Sequence, residues 1–277
     1  MKLGFHISIA GGFKYVCTRA KQTASETIQV FSRNPRSWKY KDIDDEDSAI
    51  FKKQIIDYGI GPVFVHLPYL NNLGSGNDIL YERSIASLME DLKRAEKLNA
   101  EYLITHSGSN LDIKSGIKKM IEAIIKALSH INNNVLILVE NTAGSGNEFG
   151  YNFEQLGEII KGVNSKRIGI VFDTAHAFAS GYELRTEKGV NETIKSLEKF
   201  IGLEHIYLIH FNDSLAKLGS KMDRHWHIGK GEIGKGMEFI INHPAFKHHP
   251  FIMETPRTGI KEDLLNMATA RKMIRNS

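Results

Sequence analysis

A single cysteine, Cys17, rules out a disulfide within the chain and leaves no thiolate set for a structural zinc site. No run of about 18 or more apolar residues is available to span a bilayer. The first residues, MKLGFHIS, pass into a strand-like segment without the apolar core of a signal peptide. These absences predict a soluble, cytoplasmic protein with no membrane partner. Linkers and low-complexity stretches are also missing, so nothing divides the 277 residues into separate domains. Charge of neither sign dominates. The formal net charge of +4 permits a polyanionic partner without demanding one, and 42% hydrophobic residues are enough for a large core.

What the chain does contain is a repeat of short β-branched runs separated by amphipathic stretches. The runs fall at 2–8, 27–32, 62–67, 101–106, 135–141, 168–173, 206–212 and 250–255. Helical periodicity covers 81–99, 116–131, 191–202 and 261–276, and Cys17 sits in a further helix-like stretch. Eight such units predict an α/β fold of the (β/α)8 TIM-barrel type, a single domain over 1–277. A doubly wound open sheet fits less well, because it would not gather residues from the third to the eighth strand into one cavity.

The barrel matters because ligand-type residues end the runs. PVFVHLP carries His66, EYLITHSG His106, VLILVENT Glu140, IGIVFDTAH Asp173 and His176, IYLIHFND His210 and PFIMETP Glu254; Asp223 and His225 follow in the next loop. A histidine alone at a strand end is as a rule structural, but two in equivalent positions, His66 and His106, favour ligation. Glu140 would be costly to desolvate unpaired; a salt bridge or a carboxylate bridging two cations would resolve that, and the neighbouring histidines favour the bridge. Nitrogen and oxygen donors without thiolate suit catalytic zinc or manganese. Nine of them suggest two or three close ions, an arrangement for phosphoester chemistry.

Asp223, His225 and His227 alternate along one segment, so all three can face one side; His227 is read as supporting the ligands from behind. Gly229 to Lys235 imitates a phosphate-binding loop, but Gly236 stands where Ser or Thr should be and no apolar strand precedes it. Close approach to a nucleic-acid phosphate is its expected use, and Gly144 to Gly150 is either a similar loop or a plain connection. Arg36, Trp38, Tyr69 and Leu70 lie in loops on the same face, where such residues can be incidental or can grip nucleic acid. His6, His130, His205, His243, His248 and His249 read as structural or surface.

Ser8-Ile-Ala-Gly-Gly, Glu140-Asn-Thr-Ala-Gly, Asp173-Thr-Ala-His176-Ala-Phe-Ala, Asn212-Asp-Ser and Gly219-Ser-Lys-Met-Asp-Arg-His225 together resemble the signatures of the endonuclease IV family of abasic-site endonucleases. The resemblance runs over essentially the full chain. It implies a trinuclear zinc barrel, with manganese an option at one position, that cuts duplex DNA 5′ to abasic sites and leaves a 3′-hydroxyl and a 5′-deoxyribose phosphate. By the same resemblance Glu140 bridges two ions, His66 and His106 complete the first, and Asp173, His210 and Glu254 complete the second. His176, Asp223 and His225 hold the third. Glu140 and Glu254 are the catalytic carboxylates, Arg36, Tyr69 and Leu70 enter the DNA, and the enzyme is taken as a monomer. Ala175 departs from the family's usual cysteine, and Leu67 from an aspartate found in some members.

Overall fold

The computed structural model describes residues 1–275. Eight parallel strands close on themselves: β1 Lys2–His6, β2 Thr27–Phe31, β3 Val63–His66, β4 Tyr102–His106, β5 Leu136–Glu140, β6 Ile168–Asp173, β7 Ile206–His210 and β8 Pro250–Met253. Each pairs with its neighbour in sequence, and β8 returns to β1 through Leu3 opposite Phe251. The expected (β/α)8 barrel is therefore the fold.

Period-two alternation assigns the side chains to two layers. Phe64, Ile104, Leu138, Val171, Leu208 and Ile252 point inward and fill the barrel. Ile28, Val65, Leu103, Ile137, Val139, Ile170 and Phe251 point outward against the helices. The next inward position on several strands is their last residue, where the apolar filling stops and a polar layer begins. His66, His106, Glu140, Asp173 and His210 occupy those positions. Register aligns them, with His106 opposite Glu140 and Asp173 opposite His210.

The helices α1 Val16–Gln22, α2 Asp45–Tyr58, α3 Asp78–Lys97, α4 Ile113–His130, α5 Phe153–Val163, α6 Thr174–Ser180, α7 Glu187–Phe200, α8 Gly236–Ile241 and α9 Ile260–Met273 surround the strands. α3, α4 and α7 begin earlier than their apolar periodicity because Asn77, Asp112 and Thr186 cap them, each accepting from a first-turn N–H. The helix expected to reach 276 ends at Met273, and Asn276 lies outside the described residues.

Between β7 and β8 the chain makes a short antiparallel ribbon, Asp213–Ser214 with His225–Trp226. The glycine-rich segment beyond it does not wait for a nucleic-acid phosphate, contrary to expectation. Its amides at Gly231 (2.9 Å), Ile233 (3.0 Å) and Gly234 (3.2 Å) donate to the buried Asp213 carboxylate. The anion cradled there is the chain's own. Gly144 to Gly150 is likewise pinned: Ser145 Oγ donates to the Lys221 carbonyl at 2.9 Å, bracing the loop that carries Asp223.

Candidate metal centre

Three groups of donor atoms, each within 4.8 Å of one another, meet at the carboxyl end of the barrel: His66, His106 and Glu140; Glu140, Asp173, His210 and Glu254; and Asp173, His176 and His225. Asp223 adjoins the third, its Oδ1 3.3 Å from His176 Nε2 and 3.6 Å from His225 Nε2. All nine expected ligand residues thus converge. Asp173 belongs to two groups because it is both the end of β6 and the cap of α6, where its Oδ1 accepts from the His176 amide at 2.7 Å. That cap turns the three-residue spacing into a shared pocket.

Four of the five imidazoles are oriented by groups that can only accept. His66 Nδ1 donates to the Leu67 carbonyl (2.8 Å), His176 Nδ1 to the Asn141 carbonyl (2.9 Å) and His225 Nδ1 to the Glu254 carbonyl (3.3 Å). His210 Nε2 donates to Gln29 Oε1 at 2.8 Å. In the neutral rings the remaining nitrogens carry lone pairs, and they face other lone pairs. His210 Nδ1 lies 2.9 Å from Glu140 Oε1 and 3.2 Å from Glu254 Oε2. His66 Nε2 lies 3.4 Å from Glu140 Oε2, and the Nε2 atoms of His176 and His225 are 3.2 Å apart. Acceptor opposite acceptor is repulsive unless a cation or extra protons stand between them, so the donor set fits metal ions. Leu67 supplies its orienting contact through the backbone, so that contact does not depend on the side chain at this position.

Similarity to known proteins agrees with this chemistry. A family model described as a xylose isomerase-like TIM barrel matches residues 17–277. A probable endonuclease 4 of Methanosphaerula palustris is 41% identical over 280 residues, covering 99% of this chain and 98% of the relative. The chain belongs to the endonuclease IV family. A second probable endonuclease 4, from Halothermothrix orenii, is 43% identical over 261 residues, with 93% and 94% covered. Endonuclease IV from Thermus thermophilus matches with a TM-score of 0.90 at 34% identity, covering 99% and 98% of the two chains. A D-tagatose 3-epimerase-like protein, at TM-score 0.76 and 17% identity, shares the barrel alone. As an endonuclease IV family member the protein is an enzyme, and its family is one of nucleases.

Three residues outside the expected set complete this family member's centre. His6 was expected to be structural or at the surface; it ends β1 beside the site, its Nδ1 accepting from Gln29 Nε2 at 2.8 Å. Gln29 sits at an inward position of β2 among aliphatic residues. Asn212 donates to Asp173 Oδ2 at 2.7 Å and accepts from the Glu254 amide at 2.7 Å. The parity that placed the ligands, counted back from the strand ends, would have found His6 and Gln29. His227 instead accepts from Asn266 Nδ2 at 3.1 Å, outside the three groups. Tyr69 is 61% exposed at the rim, its ring 5.2 Å from Phe31 edge to face, with Leu70 half-buried next to it. Arg36 is exposed, whereas Arg33 in the same loop is buried and paired with Asp91 at 2.7 Å.

Burial opposes charge on His210, yet Glu140 and Glu254 outweigh it and raise the imidazole to about 9. His176 rises well above its usual value in the same way, against burial and through Asp173 and Asp223. Glu140 and Glu254 are correspondingly held well below the carboxylate range: burial resists, and His210 leads the groups that overcome it. Without metal, protons on the imidazoles supply the missing positive charge. A raised folded pKa contributes stability that is complete below the unfolded value of 6.5 and lost as pH climbs through about 9. The lowered carboxylates contribute above 4.5 and lose their share as pH falls below it. Chelator-stripped protein is therefore expected to lose on the order of 3 kcal/mol between pH 6.5 and 9. Zinc should restore it by a margin that grows with pH, since binding displaces protons. Thermal melts across that range, with and without zinc, would contradict the pairing if both profiles were flat.

Proposed function

We propose that the protein hydrolyses the phosphodiester 5′ to abasic sites in duplex DNA, leaving a 3′-hydroxyl and a 5′-deoxyribose phosphate. It would do so as a monomeric, cytoplasmic single-domain enzyme over 1–277. The observation that carries this reading is the confrontation of lone pairs across three adjoining donor groups, in a chain whose relatives are endonucleases. His66, His106 and Glu140 would hold one ion, and Glu140, Asp173, His210 and Glu254 a second. His176, Asp223 and His225 would hold the third. Zinc suits all three positions, and manganese is an option at one. When bound, such ions polarise a phosphoryl oxygen and a water for in-line displacement.

The two catalytic carboxylates differ in reach. Glu140 has no exposed surface and divides its two oxygens between the groups, Oε2 facing His66 and His106 and Oε1 facing His210, so it would serve as a ligand common to the first and second ions. Glu254 is 19% exposed, which lets it orient a water approaching phosphorus. At the rim, Arg36 is free to meet DNA because Arg33 takes the structural pairing with Asp91. Tyr69, backed by Phe31, is an exposed aromatic beside the pocket and suits the space left when a baseless nucleotide swings out of the stack; Leu70 would enter with it.

A gel assay on a duplex with one abasic site, run beside tests for aldose-ketose conversion and for ketose epimerisation, decides between this reading and the sugar chemistry of proteins that share the barrel. We expect cleavage only on the 5′ side of the lesion, and close to three metal equivalents in the active protein; one equivalent or fewer would refute the cluster. Glu254→Gln should keep the fold and most DNA affinity while removing most cleavage, by about 100-fold or more, and His227→Ala should be far milder. Unimpaired turnover in the first variant, or complete loss in the second, would overturn these roles.

Recognition separates from chemistry in a further test. Replacing both Arg36 and Tyr69 with alanine should weaken binding to lesion-bearing duplex by about 10-fold or more while metal content is unchanged. Affinity for undamaged duplex, which rests on phosphate contacts and counterion release, should fall less. Titrations of both duplexes at one salt concentration would identify ordinary phosphate contacts if the losses were equal.

A further inference from the structure

We infer that Gln29 is a positioning residue for the second ion's site, fixing at once the carboxylate of Glu254 and the proton-bearing nitrogen of His210. This rests on the metal reading above. Gln29 is fully buried on β2, where its neighbours Ile28 and Val30 are aliphatic. An amide there is costly unless each polar atom is used. All are. Nε2 donates to Glu254 Oε1 at 2.6 Å and to His6 Nδ1 at 2.8 Å, and Oε1 accepts from His210 Nε2 at 2.8 Å. The reversed amide would set its oxygen against a carboxylate oxygen at 2.6 Å, so the orientation is forced.

Two consequences follow from one amide. With its Nε2–H held by Gln29, His210 in its neutral form must present the Nδ1 lone pair to the group it shares with Glu140, Asp173 and Glu254. With Oε1 occupied by Gln29, Glu254 turns Oε2 toward that same group, 3.2 Å from His210 Nδ1. Among the described residues Gln29 makes no side-chain hydrogen bond to His66, His106, His176 or His225. Its influence should fall on one ion of the three.

The test is a stepwise zinc titration of metal-stripped protein against a chromophoric chelator, comparing wild type, Gln29→Leu and Gln29→Glu, with circular dichroism as a check on folding. Gln29→Leu is expected to weaken one zinc step by about 10- to 100-fold, the range for orienting partners of metal ligands, and to leave the other two within about 2-fold. Gln29→Glu, similar in size, keeps the acceptor for His210 but sets a carboxylate against Glu254. It should weaken the same step and serves if the leucine variant does not fold. Three unchanged steps in either folded variant, or equal weakening of all three, would overturn the inference while leaving the metal reading intact. A wild-type protein that binds no zinc would instead defeat the metal reading itself.

Discussion

Four imidazoles at the barrel mouth, those of His66, His176, His210 and His225, each commit one nitrogen to an oxygen that can only accept. That commitment removes the choice of tautomer and turns the other nitrogens on carboxylates and on one another. The rest of the site follows from it. Buried Glu140, Asp173 and His210 have no water to screen them, so the arrangement persists only with positive charge inside it, supplied by ions or, failing them, by protons. Much of what surrounds the donors, namely Asn141, Asn212, Gln29 and the backbone after β3 and β8, has the task of keeping them from relaxing apart.

The barrel makes this arrangement sustainable. Its lower interior is filled by Phe64, Ile104, Leu138, Val171, Leu208 and Ile252, a dry plug on which the polar layer rests. Register then does for the donors what no loop could do as reliably: His106 with Glu140 and Asp173 with His210 are opposite partners in the sheet, fixed by hydrogen bonds of the ladder.

All eight strands were legible because parallel barrel strands read as apolar runs, and the donors were legible because most of them end those runs, with His176, Asp223 and His225 following just beyond or in the next loop. His6 and Gln29 were not. Gln29 lies inside a run, where only counting parity back from the true strand end shows that it faces inward, and His6 fell inside a first run read as 2–8, although the strand itself ends at His6. The glycine-rich segment misled for a different reason. Amides poised for an anion are visible in sequence, but which anion fills them depends on a contact 20 residues away in the chain.

That contact has an effect on the segment it encloses. Asp213 grips Gly231, Ile233 and Gly234, so the stretch bearing Asp223 and His225 is a lasso tied off by hydrogen bonds. A free chain of that length would have to surrender its wandering to bring two ligands to an ion. Here the knot is drawn in the fold itself, and an arriving cation meets ligands whose tether has already been shortened.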